Sequence, residues 1–272
     1  VVLAAQASEM SLIDFAFKTT LPISIAAIIG MAIAHFFWQR YLDKKEHISH
    51  EMLDVSEITT TAPAFYAILP FTPIIGVLIF DGKWGPQLHI ITILVICMLI
   101  ASILEFIRSF NTQKVFSGLE VAYRGMADAF AKVGMLLVAA GVFAQRLSTI
   151  GFIQSLISIA TSFGSASIIL MLVLVILTML AAVTTGSGNA PFYAFVEMIP
   201  KLAHSSGINP AYLTIPMLQA SNMGSTLSPV SGVVVAVAGM AKISPFEGVI
   251  RSSVPVLVGL VIVIVATELM VP

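Results

Sequence analysis

Charge is what this sequence lacks most: Asp, Glu, Lys and Arg together make up 10% of its 272 residues, against about 25% in an ordinary soluble domain. A soluble chain of this length needs a polar skin, and none can be assembled from 58% hydrophobic residues. The net charge is −1 and no run of Lys or Arg occurs, which excludes a phosphate-binding stripe and, with it, a nucleic-acid partner. Cysteine is down to one residue, Cys97, set in an apolar segment, so an intrachain disulfide and a thiolate metal site are both excluded. An initiating Met and a basic leader are missing as well. The chain opens Val1-Val2-Leu3, with no visible signal peptide, and the expectation is a segment lacking its N-terminal part.

What is present is a succession of apolar runs near the roughly 20 residues that span a bilayer. The first runs from Phe15 to Trp38 and is followed by a polar stretch, 39–62. His47 and His50 lie there among carboxylates, but nothing makes these ligands converge, and the stretch reads as a solvated loop or amphipathic helix. A second span covers Pro63–Phe80, with Pro70 and Pro73 as expected kinks. A turn at Asp81–Pro86 follows, then a third span, Leu88–Ile107. Residues 109–132 read as an interfacial helix, from Glu120, Arg124 and Asp128 at four-residue spacing. A fourth span, Val133–Phe143, precedes a short amphipathic helix over Phe152–Phe163. The last span is about 254–271.

Placing 39–62, 108–132 and 242–251 on one side collects Arg40, Lys44, Lys45, Arg108, Lys114, Arg124, Lys132, Lys242 and Arg251, nine of the thirteen basic residues. That side is expected to be cytoplasmic. The region of about 166–200 then enters and leaves from outside, as a re-entrant hairpin with its tip near Ser187.

Two polar interruptions carry the chemistry. Thr184-Thr185-Gly186-Ser187-Gly188-Asn189 breaks one apolar segment, and the piece after it, Ala190–Pro200, is too short to cross alone. Ser221 to Pro229 breaks a second segment of about 211–241. Irregular backbone at membrane depth survives only beside protein or a wet cavity. Pro191 and Pro229 stand near the start of each following half-helix, where a missing N–H costs least. Both half-helices would offer free N–H groups and positive dipole ends to an anion, while freed carbonyls of Ala182–Thr184 and Ala220–Ser221 would suit a small cation. The expected site residues are Thr184, Thr185, Gly186, Ser187, Gly188, Asn189, Ser221, Asn222, Gly224, Ser225, Thr226, Ser228 and Pro229.

Between Gly151 and Ala241 the only charged residues are Glu197 and Lys201. A dianion would therefore be held by dipoles, hydroxyls and amides, weakly enough to be released. Its charge would be balanced by a co-transported cation, Na+ or H+, or by exchange for another anion. No other cofactor and no metal centre is expected. A membrane-embedded hydrolase with Ser187 as nucleophile is the competing class, but His204, the nearest base in sequence, lies roughly 15–20 Å away along the helix.

At these residues the sequence resembles the anaerobic C4-dicarboxylate carriers of the DcuC type, within the ion-transporter superfamily. The matching runs are Thr184–Tyr193, Ser221-Asn222 through Ser228–Gly232, and Val233–Lys242, and the likeness covers essentially the whole chain as the C-terminal portion of such a carrier. The resemblance implies an all-α polytopic protein of the inner membrane, not an enzyme. It implies one of two inverted repeats of a dimeric, elevator-type transporter, with a re-entrant hairpin and a discontinuous helix in the lipid bilayer. Residues 1–128 would form the scaffold and oligomerisation helices, and 129–272 the transport portion. Fumarate and succinate are the implied substrates, by exchange or succinate efflux. Another organic anion or an amino acid on the same scaffold is the alternative. The N-terminal repeat, absent from this chain, would supply the other half of the cavity.

Overall fold

The computed structural model describes residues 1–46, 68, 69, 71–80, 86, 88–152, 154, 155, 157, 158 and 166–271, and among these every regular element is helical. In chain order the helices are α1 (Val2–Ala7), α2 (Leu21–Glu46), α3 (Thr72–Ile79), α4 (Ile90–Ser109), α5 (Thr112–Ala129), α6 (Met135–Thr149), α7 (Ala166–Thr185), α8 (Asn189–Val196), α9 (Ile199–Ser206), α10 (Pro210–Thr226), α11 (Gly232–Met240) and α12 (Pro245–Met270). Wider π-helical turns at Asp14–Thr20 and Phe130–Gly134 lead into α2 and α6.

Among the described residues four helices are long and apolar enough to cross a bilayer: Asp14–Lys45, Ile90–Ser109, Ser167–Thr185 and Pro245–Met270. Their outer faces are bare hydrocarbon. On α2 alone Ile25, Ile28, Ile29, Ile33, Phe36 and Phe37 are exposed. A soluble protein does not present a contiguous apolar surface on that scale, and lipid is the solvent that tolerates it. The chain is a polytopic membrane protein.

One compact unit comprises Val1–Ser49 with Met135–Pro272, the other His50–Gly134. In the second unit α3 packs on α4 and α4 on α5. Phe110, left-handed at φ 46°, ends α4, and the Asn111 side chain caps α5 by accepting from Lys114 N at 3.2 Å. On α5 Arg124 pairs with Glu120 at 2.7 Å, one turn away, as the helical spacing predicts.

The first unit is built around α10. Ala211 through Met217, Ala220, Ser221 and Gly224 are all buried, and α1, α7, α8, α9 and α12 pack against it. Helix α2 lies along α12. Methyl groups at Gly30 or Gly259 would collide with the Ile262 and Met31 side chains respectively, so each glycine leaves room for a side chain of the facing helix. At one end of the pair Trp38 Nε1 donates to Ile250 O at 3.1 Å. There Arg251 Nη1 meets Asp43 Oδ1 at 3.1 Å, and Gln39 Nε2 donates to the same oxygen at 3.0 Å.

Several expected boundaries move, each for a local reason. The first span does not stop at Trp38: α2 continues to Glu46, held by the Gln39–Asp43–Arg251 contacts. Pro73 starts α3, in its first turn, instead of kinking a longer helix. The apolar piece after Asn189 is two helices, because Pro200 has no N–H to bond the Val196 carbonyl; α8 stops there and α9 begins at Ile199. The second interruption is shorter than expected. Helix α10 runs on through Ser221, Asn222, Gly224 and Ser225 to Thr226, and only Leu227–Ser231 breaks it. Pro229, which would clash with the Ser225 carbonyl in a continuing helix, lies in that break and not in the first turn of α11. The expected loop beyond Glu46, the turn at Asp81–Gly85 and most of the Phe152–Phe163 helix lie outside the described residues.

Candidate functional site

Helix α7 ends where Gly186 takes φ +69° and donates its N–H to Ala182 O at 2.9 Å. That conformation favours glycine. Ser187 and Gly188 complete the turn, and the Ser187 hydroxyl accepts from Ala190 N at 3.4 Å as α8 begins. The turn is pressed into the second break and into α10. A Cβ on Gly186 would stand 3.0 Å from both Ser231 N and Val230 O, and one on Gly188 would stand 3.1 Å from Asn222 Oδ1 and from Ser221 O. The Ser221 hydroxyl donates to Gly188 O. Deeper along the same contact, Gly224 faces Ala182 and Met179. The two interruptions of the chain therefore touch.

Beside this contact lies a cavity of about 480 Å³. Gly188, Asn189 and Phe192 line it from the start of α8, Leu218, Gln219 and Asn222 from α10, and Phe15, Ala16, Thr20, Leu21 and Ser24 from the first membrane helix. Of the residues singled out from sequence, Gly188, Asn189 and Asn222 reach it. The others serve the turn and its packing. Thr184 donates to the carbonyls of Leu180 and Ala181 at 3.0 Å each, and Thr185 to Ala181 O at 2.7 Å. Ser225 donates to Asn222 O at 2.8 Å and Thr226 to Met223 O at 2.7 Å. Ser228 is fully buried, with no hydrogen-bond partner for its hydroxyl among the described residues. The carbonyls of Ala220 and Ser221 lie inside α10, not at a free helix end, and Ala182 O is taken by Gly186. The freed-carbonyl reading does not hold for these three.

Sequence reasoning missed Gln219, Ser24 and Thr20. Gln219 Nε2 donates to Ser24 Oγ at 2.9 Å, tying α10 to α2 across the cavity wall. Gln219 was visible as an amide one turn before Asn222 in an otherwise apolar run, and Ser24 as a hydroxyl inside the first span. Only the tertiary pairing of these helices gives them a common purpose.

None of the side chains that line it is charged. Among the described residues no group of three or more His, Cys, Asp or Glu is placed to hold a metal ion. The cavity thus combines neutral hydrogen-bond donors with the aromatic walls of Phe15 and Phe192.

The family model described as "C4-dicarboxylate anaerobic carrier", DcuC, matches residues 1–272. The chain belongs to this family. The family is one of carriers, not enzymes. Over its full length the chain is 97% identical to the anaerobic C4-dicarboxylate transporter DcuC of Escherichia coli strain K12, and spans 59% of that protein. It is 56% identical over 275 residues to the probable anaerobic C4-dicarboxylate transporter DcuC of Vibrio cholerae, and spans 60% of it. A putative uncharacterized transporter of Haemophilus influenzae is 30% identical over 134 residues, 49% of this chain and 47% of that one. No solved structure matches.

Proposed function

We propose that the chain is the larger part of a secondary carrier that moves C4-dicarboxylates, fumarate and succinate, across the bacterial inner membrane by exchange or succinate efflux. The observation that carries this reading is the apposition of the Gly186–Gly188 turn to Ser221, Asn222 and Ser231, next to a cavity with amide and hydroxyl walls. The names of the relatives supply the substrate class. In this reading α7 and α8 form a re-entrant hairpin, α10 and α11 a discontinuous membrane helix, and the N-termini of α8 and α11 add dipoles that favour an anion.

The compact unit holding both breaks is the transport portion, and α2 belongs with it because Ser24 and Thr20 line the cavity. Residues 50–134 would then be scaffold, through which a homodimer forms. An inverted repeat lying outside this chain completes the site, and an elevator-type displacement exposes it alternately to either side. Neutral donors bind a dianion weakly, so charge is balanced by a coupled cation, Na+ or H+, or by counter-exchange. All thirteen residues read from the sequence keep a part in this scheme. Asn189 and Asn222 face the substrate, and Thr184 through Gly188, Ser221, Gly224 through Thr226, Ser228 and Pro229 shape the turn and the break.

The test is labelled-succinate uptake by proteoliposomes containing the full-length protein. Saturable counterflow against internal fumarate is expected. Its absence refutes the dicarboxylate reading, and inhibition by lactate but not by fumarate would move the assignment to another organic anion.

A further inference from the structure

The wall of the cavity contributed by the first membrane helix holds polar groups that packing leaves unused. Thr20 Oγ1 is buried and has no hydrogen-bond partner among the described residues. One turn further on, Ser24 is joined to Gln219 at 2.9 Å, and all three residues line the same cavity. An orphaned buried hydroxyl is destabilising and calls for an explanation. The Ser24–Gln219 pair is also incompletely used. With the amide donating to Ser24, one amide N–H and the Ser24 O–H remain; with the amide turned over and Ser24 donating to its oxygen, both amide N–H groups remain. Either way the pair keeps two donors, while the Thr20 hydroxyl beside it is closed off by packing.

An acceptor-only group with several lone pairs matches such a set, and a carboxylate is that group. Asn189 and Asn222 add further amides to the same cavity, and Phe15, Phe192 and Leu218 add apolar surface. A short carbon skeleton with a carboxylate at each end needs both kinds of surface.

We infer that Ser24 and Gln219, with Thr20 beside them in the wall, form a carboxylate-binding subsite that receives one end of the dicarboxylate, so that α2 takes part in substrate selection. The inference rests on the function proposed above and assigns residues to its specificity. A subsite built only from neutral donors holds the carboxylate without a fixed cation, and it reads the presence of a second carboxylate directly.

The experiment is counterflow by the full-length carrier carrying Ser24→Ala, Gln219→Leu or Thr20→Val, with Ser24→Thr as the conservative variant. Succinate is the substrate, and butyrate, which lacks the second carboxylate, is a competitor. Loss of a hydrogen bond to a charged group is expected to raise KM for succinate roughly tenfold in Ser24→Ala and Gln219→Leu, with Vmax near the wild-type value. The preference for succinate over butyrate should shrink, and Ser24→Thr should restore it. If Gln219→Leu does not reach the membrane, Ser24→Ala carries the same expectation. Unchanged KM and unchanged succinate preference in these variants, or a fall in Vmax alone, overturns the subsite while leaving the carrier assignment standing. No counterflow by the unmutated carrier overturns that assignment and the subsite with it.

Discussion

Gly224 tests whether the contact between α7 and α10 is as tight as the geometry says. A methyl group there would lie 2.8 Å from both Ala182 Cβ and Met179 O, where carbon atoms ordinarily stand about 3.5–4.0 Å apart. One neighbour is backbone and the other a Cβ, so neither escapes by rotating, and the helices must separate by roughly 0.7 Å to restore normal contact. Against this, alanine is the better helix former by about 1 kcal/mol. Forcing an extra carbon into a packed interface typically costs about 1–3 kcal/mol, so overpacking wins and Gly224→Ala is destabilised by about 1 kcal/mol net. The displacement also loosens the Gly188 turn against Ser221, one helical turn away, and uptake should fall with stability. Gly118, inside α5 with nothing within 4 Å of an added methyl, is the control. Gly118→Ala should keep or raise the midpoint of thermal unfolding in detergent, while Gly224→Ala lowers it. Equal midpoints for the two variants would refute the reasoning.

Gly186→Ala places a side chain in the left-handed region at φ +69°, at a cost of about 1–2 kcal/mol, and against the backbone of Ser231. Purified yield and succinate uptake should both drop, and wild-type behaviour would mean that the turn is not held as described. Ser221→Ala removes the donor to Gly188 O and should cost about 1 kcal/mol, read as a lower thermal midpoint and greater protease sensitivity at the turn. For the α2–α12 pair, a double-mutant cycle of Asp43→Asn and Arg251→Met should give a coupling energy of about 1 kcal/mol. Arg251 is 15% exposed and Asp43 27%, so additive effects would show that solvent screens the pair completely.

The helical class, the four long apolar helices and the place of the first break were legible because each rests on a local signal. Apolar length marked α4, α7 and α12, and the polar run Thr184–Asn189 marked the end of α7. The second break was read too early for a physical reason. Ser221 and Gly224 are small residues in α10, needed for close approach to Gly188 and Ala182, and in a bare sequence such residues look the same as loop formers. Pro229 was the reliable signal, and the helix does stop one turn before it. The cavity was only half legible. Gly188, Asn189 and Asn222 could be picked out near the breaks. Thr20, Ser24 and Gln219 could not, because that wall depends on α2 lying against α12 and reaching α10 through the Ser24–Gln219 bond, contacts between residues far apart in the chain that no local motif announces.

The interruption at Leu227–Ser231 is enclosed on the side that matters. Ser228 is wholly buried and Ser231 stands against Gly186, while α10, which leads into it, is wrapped by five other helices. A chain break in that setting is no swivel, since bending it would pull Ser231 off the turn and open a void beside Ala182. The break and the turn therefore form one body. The connector Ala241–Ser244 is held as well: the N–H groups of Ala241, Lys242 and Ile243 donate to the carbonyls of Val237, Gly239 and Ala238, and the Ser244 side chain caps α12 by accepting from Phe246 N.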